Sequence, residues 1–510
     1  MSTSIFEIIG PTMIGPSSSH TAGMVRIGRM AHSIVGGDIQ YIMIEFSPML
    51  RTTYHGHRSD AALIGGVIGL CESDVEIRNA IELAHERGIE TKIDFLPEGE
   101  YPQNTARLTV GCKDGRVVSV LGTSVGGGSI VIDAVDDASL RIAPEAYHIL
   151  IWSADTLDLP LSGATIQRGE GKKGVVTCLT FSSLPSESFV SKLRELKGVT
   201  ALKSIPPILE YGITLTDEKY ESCSDLCREA EEKGVAVSDL AVRYEMTRSG
   251  FSEEYIRKEM LQLLQRMKES VLEGEKPNKL LYGLASGKDG RLLQEAIREG
   301  KTISGGIMPL AVSRAIGVME YNGSMGIIVA APTAGSSGIV PGCFITLQEE
   351  YGFSDEEIVN ALFVSGIMGV IMAHRKVSFS GSVGGCQGEI GVSSAISAAG
   401  MVSLFSKEPT KIAHGMALCL KNLLGLVCDP IAGPIEIPCI KRNAVGVANA
   451  FISADMALAG IQSFIPPDEV IDALVDVEKR LPQELKCATV GGLASTCTAK
   501  RIRKELSCNL

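Results

Sequence analysis

Residues 428–439 read Cys428-Asp429-Pro430-Ile431-Ala432-Gly433-Pro434-Ile435-Glu436-Ile437-Pro438-Cys439, and a third cysteine lies upstream in Gly384-Gly385-Cys386-Gln387-Gly388-Glu389. Glycine and proline interrupt helices, so both stretches predict loops on which thiols distant in sequence can converge. Soft thiolates select zinc or iron–sulfur clusters. With three protein ligands rather than four, such a site keeps one metal position open for a substrate.

Burial as small hydrophobic side chains is the alternative for these cysteines, because free cysteine is among the most buried residue types. The chain has 13 cysteines in 510 residues, and its sequence lacks the short C-x-x-C pairs that are typical of zinc sites. Cys223-Ser224-Asp225-Leu226-Cys227 comes nearest, and its acidic, helical surroundings indicate a structural pair. Spacing alone leaves a metal site and buried thiols both open, with zinc the weaker metal.

The composition indicates a soluble globular protein of two to four domains, since 510 residues exceed a single core and 45% of them are hydrophobic. A net charge of −12 argues against nucleic acid or an anionic membrane as the partner. The first residues lack the pattern of a signal peptide. The longest apolar run, residues 361–373, is too short to span a bilayer and predicts a core helix. We expect a cytoplasmic protein, because so large a chain does not need a disulfide framework.

The fold class that the patterns predict is multidomain α+β, in three regions. Residues 1–138 mix strands, at 41–46 and 116–121, with an amphipathic helix at 74–87. Residues 216–510 show the 3.6-residue spacing of helices and predict a largely all-α catalytic domain.

The middle region, residues 143–207, has its own pattern. Strands are predicted at 147–153, 174–181 and 201–205, with a helix at 186–196. This order resembles an ACT domain that has lost part of its first half. The segment Asp155-Thr156-Leu157-Asp158-Leu159-Pro160 stands where ACT domains carry a ligand-binding glycine, so a structural spacer is favoured over a regulatory site.

The segment Gly169-Glu170-Gly171-Lys172-Lys173-Gly174 satisfies the dinucleotide-binding pattern G-x-G-x-x-G. A strand rather than a helix is predicted after it, so the free amides and the dipole that bind a pyrophosphate are missing. The pattern therefore predicts a charged hairpin loop.

Several longer motifs favour a metal site over simple burial for the three cysteines. The C-terminal half carries Ala330-Ala331-Pro332-Thr333-Ala334-Gly335-Ser336-Ser337-Gly338, Leu424-Gly425-Leu426-Val427-Cys428-Asp429-Pro430 and Pro438-Cys439-Ile440-Lys441-Arg442-Asn443, and the N-terminus carries Gly15-Pro16-Ser17-Ser18-Ser19-His20-Thr21-Ala22-Gly23. In this order they resemble the bacterial iron–sulfur L-serine dehydratases, as a chain in which the β part precedes the α part. The resemblance implies that Cys386, Cys428 and Cys439 hold a 4Fe–4S cluster whose open iron acts as a Lewis acid.

Two serine-rich stretches are candidates for binding the substrate carboxylate. Hydroxyls and free amides at a helix start would hold a carboxylate. Ordinary helix capping is the alternative for the first stretch, and a helix-packing turn for the second. The resemblance favours substrate binding by Ser17, Ser18, Ser19, His20 and Thr21, and by Ser336 and Ser337.

His57, in His55-Gly56-His57-Arg58-Ser59-Asp60, is the candidate base, because histidine titrates near working pH and Asp60 could orient it. Solvated loop histidines or a minor metal pair are the alternatives. The family carries a similar Gly-His-Gly-Thr-Asp segment, in which Arg58 here replaces glycine and Ser59 replaces threonine. Arg58 therefore stands where the family has the greater backbone freedom of glycine.

Further departures from the family pattern concern the substrate and the cluster. The family shows His-Pro-Asn-Thr where this chain has Tyr101-Pro102-Gln103-Asn104-Thr105, so Asn104 and Thr105 are candidate substrate contacts and Tyr101 could alter specificity. Lys486-Cys487-Ala488 stands where members often show Arg-Glu-Thr. Cys508 could cap the open iron, as a terminal cysteine does in some relatives, or belong to a frayed tail.

The resemblance implies an L-serine ammonia-lyase that forms pyruvate and ammonia without pyridoxal. A lyase acting on threonine or cysteine is the close alternative, and a non-catalytic amino-acid sensor is the alternative from another class. We expect a small amino acid as the substrate, neither nucleic acid nor membrane as a partner, and a homo-oligomer, a dimer, as the assembly.

Overall fold

The computed structural model describes residues 3–102, 104–159, 163–208, 220–432, 435–487 and 490–508. The chain divides into two compact units, which are taken in turn below. The first unit combines Met1–Ser18 with Thr216–Leu510, and the second is Ser19–Leu215. The three-domain division expected from the sequence stays a prediction.

The N-terminal segment of the first unit forms α1 (Ile5–Ile8) and β1 (Thr12–Ile14). Ser4 caps α1 with its side chain, and its hydroxyl donates to Glu245 at 2.9 Å. The same carboxylate accepts the Ile5 amide at 2.9 Å and pairs with Arg248 at 2.6 Å, where both side chains are 1% exposed. A buried ion pair far along the chain therefore fixes the first helix.

The second unit contains a six-stranded sheet, among the described residues, in the order β3-β2-β4-β5-β6-β7. The β2–β3 pair is parallel and the other pairs are antiparallel. Helices α2 and α3 pack together, and α2 also packs on β5. The elements are α2 (Gly23–Val35), β2 (Ile39–Phe46), α3 (Ser59–Val67), α4 (Ala80–Glu86), β3 (Glu90–Phe95), β4 (Thr105–Cys112), β5 (Val117–Gly126), β6 (Ser129–Val135) and β7 (Ala138–Ile142).

A four-stranded antiparallel sheet follows in the second unit, in the order β11-β8-β10-β9 over the described part of the chain. Its core includes Ile149, Ile151, Leu179 and Leu193. The ACT resemblance stays a prediction, and Pro160 of the segment offered for its ligand loop lies outside the described residues. The elements are β8 (Tyr147–Ser153), β9 (Thr165–Gly171), β10 (Gly174–Phe181), α5 (Glu187–Arg194) and β11 (Val199–Ile205).

The G-x-G-x-x-G segment forms the turn between β9 and β10, which pair antiparallel with Gly171 opposite Gly174. The hairpin prediction is confirmed, since a strand follows the motif.

The remainder of the first unit is mostly helical, as predicted. Its short strand β12 pairs antiparallel with β1, with Thr12 opposite Val329. The elements are α6 (Cys223–Lys233), α7 (Val237–Ser249), α8 (Glu253–Gly274), α9 (Asp289–Arg298), α10 (Met308–Gly323), β12 (Ile327–Val329), α11 (Ile339–Tyr351), α12 (Asp355–His374), α13 (Gly381–Gly384), α14 (Val392–Phe405), α15 (Pro409–Lys421), α16 (Cys439–Leu458), α17 (Pro467–Arg480) and α18 (Cys497–Cys508).

Helix α12 contains the predicted core run and is buried along most of its length. Ile5 of α1 packs against Gly366 so closely that a Cβ there would lie 2.5 Å from the isoleucine side chain. Two stretches, Asp355–His374 and Gln387–Phe405, are long and apolar enough to cross a membrane, and 78% of each apolar window is buried inside the protein. That degree of burial is typical of core helices in soluble proteins.

Candidate functional site

The three predicted cluster ligands lie in the first unit, two of them at the starts of helical segments. Cys386 precedes a π-helical turn, Gln387–Gly391, that leads into α14, and Cys439 is the first residue of α16. Cys428 lies in the segment between α15 and α16. All three are buried, with 2%, 3% and 9% exposure for Cys386, Cys428 and Cys439. Two of the three thiols therefore lie at helix N-termini, where the helix dipole favours an anion.

The structure brings Cys386 and Cys428 together, and Cys439 is near enough to interact electrostatically with Cys386. The sulfurs of Cys386 and Cys428 and a carboxylate oxygen of Glu389 lie within 4.8 Å of one another. Hydrogen bonds with Cys386 and with Cys487 favour the protonated Cys428 thiol and raise its pKa well above the ordinary value. Burial, and to a lesser extent the charge of the neighbouring Cys386, raises the pKa of the Cys439 thiol well above its ordinary value. Without a metal the thiols of Cys428 and Cys439 hold their protons, so binding a metal there must release them.

Arg442 places a positive charge beside these thiols. Its Nη1 donates to Sγ of Cys386 at 3.6 Å and to the carbonyl of Val427 at 2.7 Å. Its Nη2 donates to Asp429 at 2.6 Å, and the other oxygen of Asp429 accepts the Leu493 amide at 2.7 Å. No role for Arg442 was predicted from the sequence. Its position three residues after Cys439, one helical turn on, was the available signal.

Glu389 is a second residue near these thiols for which no role was predicted from the sequence. Burial raises the pKa of its carboxyl to about 7, against the opposing effects of a hydrogen bond with Thr333 and the charge of Arg442. The carboxyl therefore exchanges a proton near neutral pH, close to two of the sulfurs.

The donor set fits a soft metal centre. Gly381 lines it without a side chain, since a Cβ there would lie 2.6 Å from Glu389 Oε2 and 3.0 Å from Cys428 Sγ. Thiolates are the usual ligands of iron–sulfur clusters, and a nearby guanidinium offsets their negative charge.

The predicted serine loop at 336–337 is connected to these cysteines by Asn443. The Nδ2 group of Asn443 donates to the carbonyls of Gly335 and Cys439, both at 2.9 Å, and its Oδ1 accepts the Gly338 amide at 3.1 Å. The hydroxyls of Ser336 and Ser337 donate within their own loop, to Ala331 at 3.0 Å and to Ala334 at 2.9 Å. Such hydrogen bonds within the loop are typical of a helix-packing turn, which was the alternative to substrate binding for Ser336 and Ser337.

One residue of the first serine stretch, Ser18, contacts the loop that contains Ser336 and Ser337. The hydroxyl of Ser18 accepts the Ala334 amide at 2.7 Å, within the first unit. Ser17 and Ser19 are half-buried. A π-helical turn, Ser18–Ala22, precedes α2, so the helix predicted after the stretch is confirmed.

His57 and His20 lie together in the second unit. Their rings stack with centroids 4.2 Å apart, and His57 is 4% exposed. Burial lowers the pKa of His57 to about 4 and that of His20 well below its ordinary value. Thr21 donates to the carbonyl of His57 at 2.9 Å, and Ser59 donates to that of His20 at 2.9 Å. His57 is therefore neutral at working pH, the protonation state that a base needs.

The group that orients His57 differs from the one expected. Its Nδ1 lies 3.1 Å from the carbonyl of Thr53, whereas Asp60 lies 3.5 Å from Nδ1 of His55. The expectation that Asp60 orients His57 is corrected accordingly. Arg58, which replaces a family glycine, has φ +54° and so adopts the left-handed conformation that glycine accommodates most easily.

Asn104 and Thr105 are buried where β4 begins in the second unit. Oδ1 of Asn104 has no hydrogen-bond partner among the described residues. The hydroxyl of Thr105 donates to the carbonyl of Pro102 at 2.9 Å and lies 2.9 Å from that of Thr123. Asn104 thus has more hydrogen-bonding capacity to offer a ligand than Thr105. Gln103 and the side chain of Cys508 lie outside the described residues.

Comparison with known proteins covers both parts of the chain. A family model described as serine dehydratase alpha chain matches residues 232–494, and one described as serine dehydratase beta chain matches residues 4–114. The chain is 41% identical over 287 residues to the probable L-serine dehydratase alpha chain of Bacillus subtilis (strain 168), covering 56% of this chain and 95% of that one. It is 41% identical over 154 residues to the probable beta chain of the same organism, covering 30% and 69%.

A single-chain relative matches nearly the full length of this chain. L-serine dehydratase 2 of Escherichia coli (strain K12) is 27% identical over 517 residues, covering 97% of this chain and 99% of that one. With both family models matched in one polypeptide, this chain belongs to the serine dehydratase family as a fused β–α member, and it is a lyase.

Proposed function

We propose that the chain dehydrates L-serine to pyruvate and ammonia with a 4Fe–4S cluster bound by Cys386, Cys428 and Cys439. The observation that carries the proposal is the proximity of the buried thiols of Cys386 and Cys428 beside Arg442, with Cys439 interacting electrostatically with Cys386, in a member of this family. When bound, the cluster supplies a Lewis-acidic iron that assists the departure of hydroxide, a poor leaving group.

The protein's own groups supply binding and charge. Arg442 offsets the negative charge of thiolates at Cys386 and its neighbours. Asn443 fixes the loop at residues 334–338 relative to Cys439, and the Ser18 hydroxyl holds the amide of Ala334. We assign carboxylate binding to the serine stretches, with Ser17, Ser18, Ser19, His20 and Thr21 in the first and Ser336 and Ser337 in the second.

We assign removal of the α-proton to His57. Its neutral imidazole can accept a proton at working pH, and its Nδ1 contact with the carbonyl of Thr53 favours the tautomer in which Nε2 is the acceptor. Asn104 and Thr105 are assigned as further substrate contacts, Asn104 on the strength of its buried Oδ1.

Anaerobic purification followed by iron and sulfide analysis tests the cofactor, and pyruvate or 2-oxobutanoate release from serine, threonine and cysteine tests the substrate. We expect about four irons and four sulfides per chain, as the formula of the cluster requires, and the highest kcat/KM for serine. An iron-free protein with full activity would contradict the proposal, and a higher kcat/KM for threonine or cysteine would correct the substrate. Light scattering tests the predicted dimer.

A further inference from the structure

A fourth cysteine, Cys487, lies beside the predicted cluster ligands in the first unit. The Cys428 amide donates to the carbonyl of Leu485 at 2.8 Å, and the Cys487 amide donates to the carbonyl of Cys428 at 2.7 Å. These bonds form an isolated parallel bridge between Cys428 and Lys486. The backbone of a predicted ligand therefore fixes the position of Cys487.

The side chain of Cys487 reaches the same group of thiols. It hydrogen-bonds with the Cys428 thiol and interacts electrostatically with Cys439. Cys487 also has φ +60°, in the left-handed region that non-glycine residues rarely adopt. Residues persist in this conformation where their surroundings determine them strongly, and such residues cluster at functional sites.

Glu389 is the competing candidate for a fourth ligand, because its carboxylate lies within 4.8 Å of the sulfurs of Cys386 and Cys428. Its carboxyl is already hydrogen-bonded with Thr333. Iron–sulfur clusters are held predominantly by thiolates, which are softer ligands than carboxylates. The chemistry of the donor therefore favours Cys487.

We propose that Cys487 is a fourth thiolate ligand of the cluster, so that the resting protein holds all four irons through cysteine. The inference rests on the proposed function, since it requires the cluster. When Cys487 binds iron its thiol loses one proton, and on release the thiolate takes one up, while no electron is transferred. The site then alternates between a closed form, protected from oxygen, and an open form that admits substrate.

Mössbauer spectra of protein reconstituted with ⁵⁷Fe and sulfide test this assignment without reference to activity. The wild-type protein should show four irons with the parameters of tetrahedral sulfur ligation. In Cys487→Ala one iron in four should acquire a distinct, larger isomer shift, because a harder ligand replaces sulfur. Cys497→Ala, which removes an exposed cysteine on α18, is the matched control and should resemble the wild type.

Loss of iron to a ferrous chelator under anaerobic conditions provides a second measurement. We expect it to be at least about tenfold faster in Cys487→Ala than in the wild type, because one iron loses its protein ligand. A distinct iron in the wild-type spectrum, unchanged by Cys487→Ala, would overturn the assignment of Cys487 and leave the proposed function standing. Absence of a cluster, or zinc in its place, would overturn both. If Cys487→Ala fails to fold, Cys487→Ser takes its place, and Cys508→Ala, which should leave the spectrum unchanged, excludes the other cysteine as the fourth ligand.

Discussion

The guanidinium of Arg442 lies against the thiol of Cys386, with Nη1 3.6 Å from Sγ. The two residues are far apart in the sequence, and α16 brings Arg442 to the thiol one helical turn after Cys439. A positive charge is thereby placed next to ligands that become negative when a metal binds. The predictions below follow from this arrangement and from the histidine pair of the second unit.

Replacing Cys386, Cys428 or Cys439 individually with serine should remove the cluster absorbance and the activity together. Each thiol would supply one thiolate ligand to iron, and serine is a poor substitute because its oxygen is harder. Visible absorbance and pyruvate release measure the two properties. Cys497→Ser is the control, since that thiol is exposed. Retention of cluster and turnover in any one variant would remove that residue from the ligand set.

Gly381→Ala should abolish cluster assembly, whereas Gly391→Ala should permit it. A Cβ at Gly381 would lie 3.0 Å from Cys428 Sγ and 2.6 Å from Glu389 Oε2. At Gly391 the nearest atom would be 3.5 Å away, an ordinary contact. Iron content after anaerobic reconstitution distinguishes the two variants, and equal iron in both would contradict the packing described here.

Asp429→Ala should destabilise the apoprotein by about 3 kcal/mol, the usual cost of leaving one partner of a buried ion pair unpaired. Asp429 is 4% exposed at its side chain, and it accepts both from Arg442 at 2.6 Å and from the Leu493 amide at 2.7 Å. Urea unfolding measures the loss. Asp429→Asn keeps an acceptor oxygen and should lose less, so the opposite ranking would count against the ion pair.

His57→Ala should leave the cluster intact and lower kcat by about 100-fold or more, the usual contribution of a positioned general base. His55→Ala is the matched control, because His55 lies two residues away and its side chain is 40% exposed. Rates with serine deuterated at the α-carbon locate the affected step. Wild-type kcat in His57→Ala would move the search for the base to Tyr101.

The low pKa of His57 should make stability fall as the pH is lowered. Burial lowers this pKa from 6.5 to about 4, so below pH 6.5 the unfolded chain binds a proton that the folded chain refuses. The free energy of unfolding should therefore decrease between pH 6.5 and 4, by at most about 3 kcal/mol for this group, and level off below pH 4. His57→Asn should show a smaller decrease in urea unfolding at matched pH values. Equal slopes for the two proteins would show that His57 is not buried in this way.

Local sequence patterns predicted five of the ten strands that the structure describes in the second unit. Mostly apolar runs located β8 and β10 at the bounds that the structure has, and a strand after Gly174 excluded the nucleotide motif. The helix predicted at residues 74–87 is less regular. It begins as a 3-10 helix, Val75–Asn79, before α4, a distinction that hydrophobic spacing does not carry.

Contacts distant in sequence could not be predicted in the same way. The pairing of β1 with β12 depends on two short strands far apart in the chain, and neither has a distinctive pattern. The contact of Asp60 with His55 rather than His57 depends on side-chain direction within one turn. From the sequence, Cys487 was recognisable only as a departure from the family motif. Its position beside Cys428 depends on a backbone bridge between distant residues, which no local pattern predicts.

The first unit is built from residues on both sides of the second unit, so its two parts are synthesised at different times. As the chain leaves the ribosome, residues 19–215 form a continuous segment that can fold before the rest of the first unit has been synthesised. The N-terminal segment emerges first, but β12 and the Glu245 carboxylate that hold it are synthesised much later. Its apolar residues Ile5 and Ile8, fully buried in the finished protein, must stay exposed or be chaperoned until then. The beginning of the chain is therefore among the last parts to reach its native place.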